Sequence, residues 1–148
     1  MAQQKMNIII EKAKDNNLTC KIENSNSEFI YAYSKYKPKD KISLSNLNFN
    51  SNENLILLGL GLGYELEYLA KNTNNYIYVI EPDKEFYNII LSSNELNSVL
   101  KIKNIKFLFG DEYKKLTLSD YEIVNNKNIT CYNSHFYIEV LNYLSRFP

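Results

Sequence analysis

The chain has 148 residues, enough for a real core, and its 17 basic and 17 acidic residues cancel to a net charge of zero. That balance, without a basic patch, argues against electrostatic capture of nucleic acid. Hydrophobic residues make up 45%, yet no apolar run approaches the roughly 18 residues of a membrane span.

Two cysteines, Cys20 and Cys131, lie far apart, so neither a disulfide framework nor a thiolate metal site is expected. The single histidine, His135, has no Cys or His neighbour and is not read as a metal ligand. No signal peptide is visible, and the chain reads as cytoplasmic.

In chain order, residues 3–17 predict an amphipathic helix. Met6, Ile9, Ile10 and Ala13 fall at helical spacing, and Asp15-Asn-Asn17 supplies a stop. Residues 18–23 and 28–33 are short β-prone runs around the turn signal Asn24-Ser-Asn-Ser27, which predicts a hairpin with polar outward faces. Pro38 can start a short helix over 39–47, carrying Ile42, Leu44 and Leu47. Residues 46–54 are polar and asparagine-rich. They divide the chain into an N-terminal appendage, 1–50, and a core, 51–148.

The core opens with Leu55-Ile-Leu-Leu58, a buried-strand pattern. It turns on Gly59, Gly61 and Gly63 and leaves as a helix with Leu62, Leu66, Leu69 and Ala70 on one face. Strands are predicted at 76–80, 105–109 and 128–132, and a helix from about 84. A short turn around 96–100, a short helix over 112–121 and a closing helix over 134–147 complete the pattern. The closing helix has Phe136, Val140, Leu141 and Leu144 inward. Alternating strands and helices predict an α/β, Rossmann-like, doubly wound, mostly parallel sheet in the order 3-2-1-4. The crevice then lies at the carboxyl ends of the strands. A short fourth strand at the sheet edge, beside a closing helix with spare aromatic surface, predicts a twofold dimer through both.

Three features end successive strands: the glycine loop with Tyr64 behind it, Glu81, and Gly110-Asp111. Backbone N–H groups at a glycine turn can approach a phosphate or nucleotide. A strand-end acid can hold ribose hydroxyls, and Asp111 can accept from an exocyclic amine. Tyr64 can stack on a ligand or plug the crevice. A dinucleotide fingerprint would need its third glycine at Tyr64, so NAD and FAD are disfavoured. No G-x-x-x-x-G-K-[ST] loop is present.

The G-x-G-x-G loop followed by an acidic strand end resembles class I S-adenosylmethionine-dependent methyltransferases. That resemblance assigns Gly59, Gly61 and Gly63 to cofactor approach, Glu81 to the ribose and Asp111 to the adenine. It departs downstream, where the family's N/D-P-P-aromatic motif is replaced by Cys131-Tyr-Asn-Ser-His135.

A second resemblance covers more of the chain. Tyr33-Ser-Lys-Tyr-Lys-Pro38, Ile56-Leu-Leu-Gly-Leu-Gly-Leu-Gly-Tyr64 and Val79-Ile-Glu-Pro-Asp83 together are similar to the N-terminal domain of bacterial motility accessory factors, over roughly residues 30–112. Those proteins are associated with flagellin glycosylation as transferases of nonulosonic acid sugars, with the transferase site attributed to a separate central domain. The resemblance implies a binding or scaffolding domain in a motility or glycosylation context, with flagellin or a glycosylation protein as partner. It assigns no catalytic residue.

Overall fold

The computed structural model describes residues 6–40, 53–117 and 120–146. The chain divides into two compact units, Met1–Ser45 and Asn46–Pro148.

The first unit holds a three-stranded antiparallel sheet, β1 (Ile8–Lys12), β2 (Leu18–Glu23) and β3 (Phe29–Tyr31), in the order β1-β2-β3. The helix expected over 3–17 is therefore wrong for its described part: residues 8–12 pair with β2 from Ile8↔Ile22 to Lys12↔Leu18. Ile8, Ile9 and Ile10 are β-branched and stiff at χ1, which suits a pleated strand. The register sets Ile8 and Ile10 opposite the buried Ile22 and Cys20. The Asp15–Asn17 signal is a hairpin turn. Ala13 N–H donates to the Asn17 carbonyl at 2.8 Å, and Asn16 takes φ 71°, a conformation asparagine tolerates better than most residues.

The second turn, at residues 24–27, forms as expected. Asn24 Oδ1 accepts from the backbone N–H groups of Asn26 and Glu28 at 2.9 and 3.0 Å. Asn24→Ala is expected to cost about 1 kcal/mol in urea unfolding, the worth of the lost turn bonds. The outward side of this hairpin is not polar, because Phe29, Ile30 and Tyr31 are all exposed. Of the helix expected over 39–47, Lys39 and Asp40 lie in a turn, and the rest falls outside the described residues.

The second unit is built on four parallel strands, β4 (Asn54–Leu58), β5 (Ile77–Glu81), β6 (Ile105–Phe109) and β7 (Tyr121–Asn125), in the order β6-β5-β4-β7. Counted within this unit, the order is 3-2-1-4. Leu55 to Leu58 are all buried, as befits a strand paired on both sides.

The fourth strand is not the expected one. Residues 127–130 form a short helix, α3 (Lys127–Thr130), continued by a 3-10 turn over Cys131–Asn133. The strand comes earlier, at Tyr121–Asn125, and meets the helix expected over 112–121 only at Tyr121; the described start of that expected helix lies in a 3-10 turn, Gly110–Lys115. Tyr121-Glu-Ile-Val carries the β-formers. The Asn126 carbonyl then accepts from both Ile129 and Thr130 N–H groups, turning two β-branched residues into helix.

Helices α1 (Tyr64–Asn72), α2 (Glu85–Leu91) and α4 (Ser134–Leu144), with a 3-10 turn at Asn97–Lys101, complete the unit. One core cluster joins Ile56, Leu58 and Ile80 of the sheet to Tyr113 and to Tyr137, Val140 and Leu144 of α4. Tyr137 thus faces inward, while Leu141, expected inward, is 37% exposed beside Ile138. No helix among the described residues is long and apolar enough to cross a membrane.

Candidate functional site

At the carboxyl end of β4 the chain must leave the sheet and enter α1 within a few residues. It does so through three left-handed glycines, Gly59 (φ 93°), Gly61 (φ 54°) and Gly63 (φ 88°), the last capping α1. The loop is packed on both sides by the chain itself. A Cβ added at Gly59 would sit 3.2 Å from Thr130 Cγ2 and 3.3 Å from Ile129 Cβ. One added at Gly63 would sit 3.1 Å from Val99 Cγ1 and 3.4 Å from Ile90 Cδ1. Residues 59–66 are all buried, Tyr64 among them.

Glu81 ends β5, the neighbouring strand, and is buried. Its Oε2 accepts from Leu60 N–H at 3.0 Å and from the Tyr137 hydroxyl at 2.9 Å. The group that the glycine loop holds is therefore the chain's own Glu81 carboxyl. Burial pushes the Glu81 carboxyl up to about 7. The Leu60 and Tyr137 bonds pull the other way, and Asp83 adds to the rise. Burial, reinforced by the facing Glu81 charge, lifts the Tyr137 phenol well above its ordinary value. The Tyr137 oxygen also lies 3.3 Å from the Ile80 carbonyl. A second acceptor is thus within reach when Glu81 is protonated. Glu81 Oε1 is buried with no hydrogen-bond partner among the described residues.

The segment after β7 closes the other side. Asn126 is buried, its N–H donates to the Leu58 carbonyl at 3.0 Å, and its Nδ2 lies 3.4 Å from the Gly59 carbonyl.

Gly110 (φ 61°) follows β6 and stands beside Pro82, whose carbonyl would be 3.9 Å from an added Cβ. Asp111 is exposed in the 3-10 turn. The structure thus brings the glycine loop and Glu81 into direct contact, sets Gly110 next to the end of β5, and leaves Asp111 on the surface. A carboxyl titrating near neutrality can serve as an acid or base; here Leu60 N–H and the Tyr137 hydroxyl both hold its Oε2.

Sequence reasoning missed Tyr137, Asn126 and the Ile129-Thr130 pair. Tyr137 stands at i, i+3 and i+7 with Val140 and Leu144, a stripe that marks it as core. Asn125-Asn126, directly after a β-run, is a helix-start signal.

The sequence matches the family described as glycosyltransferase Maf N-terminal domain over residues 1–142. No curated protein matches it.

Proposed function

Because the chain belongs to the glycosyltransferase Maf N-terminal domain family, we propose that it serves as a non-catalytic binding or scaffolding domain in the cytoplasm, in a flagellin glycosylation or motility context. The family match supports the motility accessory factor context. The parallel order β6-β5-β4-β7, with a glycine turn after its first strand, supports reading residues 53–146 as Rossmann-like.

One observation carries the non-catalytic reading. Glu81, the residue expected from the sequence to hold a ribose, accepts at Oε2 from Leu60 N–H and the Tyr137 hydroxyl. The loop that would cradle a phosphate is covered by Ile129, Thr130, Val99 and Ile90. Its tight turn serves packing.

A second reading rests on one atom. Among the described residues Glu81 Oε1 is buried without a partner, and a hydroxyl of an adenosine-type ligand such as S-adenosylmethionine would satisfy it. Tyr137 would then have to release Glu81, and α4 would have to shift.

Thermal unfolding in millimolar S-adenosylmethionine, S-adenosylhomocysteine or AMP separates the two readings. The midpoint is expected to stay where it is without ligand. A stabilisation that Glu81→Ala abolishes would install the second reading. Sugar transfer to flagellin by this chain alone would overturn the first.

A further inference from the structure

The first unit carries a second feature, independent of the glycine loop. Among the described residues β3 is an edge strand, and its hydrogen-bonding pattern with β2 is fixed. Ala32 N–H donates to the Cys20 carbonyl at 3.0 Å and Asn24 N–H to the Glu28 carbonyl at 2.7 Å. Ile22 opposes Ile30 midway between them. Antiparallel pairs alternate between bonded and non-bonded. Residues 28, 30 and 32 therefore face β2, and the N–H and C=O groups of Phe29 and Tyr31 point off the edge of the sheet.

The side chains are equally unguarded. Phe29, Ile30 and Tyr31 are 41%, 45% and 36% exposed. Edge strands are ordinarily blunted by charge, proline or a bulge, and Phe29-Ile-Tyr31 has neither charge nor proline. The Tyr31 ring is also held in place. Its hydroxyl donates to Glu11 at 2.8 Å, Lys21 Nζ lies 5.0 Å from its centroid, and Lys21 pairs with Glu11 at 2.9 Å. Such an edge is a template for another strand.

The register selects the occupant. We propose that β3 pairs antiparallel with β3 of a second copy of this chain, about a twofold axis through Ile30. That axis sets Phe29 opposite Tyr31 of the partner subunit, Tyr31 opposite Phe29 of the partner subunit, and Ile30 opposite Ile30 of the partner subunit. The two Phe29/Tyr31 pairs use the backbone groups that point outward, so both are of the bonded kind and together form four N–H···O bonds. Ile30 becomes the narrow non-bonded pair, where side chains approach most closely. Phe29 and Tyr31 share a face, so an aromatic pair forms on each side of the axis. Lys21 lies next to Tyr31 and Glu23 next to Phe29. Each row across the seam then runs from Lys21 through the two aromatic rings to Glu23 of the partner subunit, with no like charges opposed. The result is one six-stranded sheet. This twofold contact lies on the N-terminal sheet, a different surface from the closing helix and fourth-strand edge expected from the sequence.

Sedimentation velocity of the full chain over a micromolar-to-millimolar series tests the proposal. A reversible monomer–dimer equilibrium is expected, and Ile30→Lys is expected to abolish it with the circular dichroism unchanged. Should that variant misfold, cross-linking decides. In a Cys131→Ser background, Ile30→Cys is expected to oxidise to a disulfide dimer, since residue 30 meets itself across the axis. Glu28→Cys, which would oppose Ala32 of the partner subunit, is expected to stay monomeric under the same oxidation. A chain monomeric throughout the series would overturn the proposal. So would a dimer that survives in folded Ile30→Lys, or Glu28→Cys cross-linking as readily as Ile30→Cys. An edge reserved for an extended strand of another protein would give the first of these results.

Discussion

Gly59→Val is expected to destabilise the chain by about 3 kcal/mol or more, with no ligand involved. Two costs combine. At φ 93° a β-branched residue sits outside its allowed backbone regions, a strain of roughly 1–3 kcal/mol. Its Cβ would also crowd Thr130 Cγ2 at 3.2 Å and Ile129 Cβ at 3.3 Å, both on the short helix that covers the loop. Those atoms belong to a segment tied to β4 by Asn126, whose N–H donates to the Leu58 carbonyl. The segment therefore cannot retreat cheaply, and overpacking of this kind costs typically 1–3 kcal/mol. Urea unfolding measures the sum. Gly110→Ala is the fitting comparison, because its φ of 61° lies in the ordinary left-handed region and the nearest atom to an added Cβ is 3.9 Å away. Equal losses in the two variants would mean that backbone strain acts alone and that α3 does not press on the loop.

The glycine turn and the first three strands of the second unit could be read from the chain because they are local. An apolar run, clustered glycines and a helical stripe adjoin one another in sequence, and short right-handed connections then leave few topologies. The first strand was not legible. Ile9 and Ile10, with Met6 and Ala13, satisfy a helical period, and Ile8-Ile-Ile10 equally suits a strand. What decides is Cys20 and Ile22 waiting opposite on β2, which is tertiary context. The fourth strand failed for a related reason. Ile129 and Thr130 have the shape of strand residues, but a carbonyl from Asn126 binds both of their N–H groups. Glu81 divides in the same way. Its place at a strand end follows from the local pattern. The partner that claims its carboxyl, Tyr137, stands 56 residues later. No local pattern tells a strand-end acid aimed at a ligand from one aimed at a tyrosine.

That tyrosine contact gives the second large prediction, a stability that falls as pH rises through the neutral range. Burial lifts Glu81 from an ordinary 4.5 to about 7 in the folded chain. Between those values the native state holds a proton that the unfolded chain has released. Unfolding therefore becomes easier with rising pH across this window. The contribution is fully present below the unfolded value and lost once pH passes the folded one. Its full span is on the order of 3 kcal/mol. Glu81→Gln removes the titration while keeping the shape. Its amide oxygen takes the place of Oε2 and accepts from both Leu60 N–H and the Tyr137 hydroxyl, while its nitrogen takes the place of Oε1, the oxygen that would carry the proton in the neutral acid. Urea unfolding of both proteins near pH 5 and near pH 8 should show similar stabilities at the lower pH and a more stable glutamine variant at the higher. Parallel pH profiles for the two proteins would refute it, because Glu81 would then keep the same charge folded and unfolded. A carboxyl kept for a ligand's hydroxyl would gain from being ionised when the site is filled. A carboxyl kept for packing destabilises the fold once ionised, and the slope of stability with pH distinguishes the two without any ligand in hand.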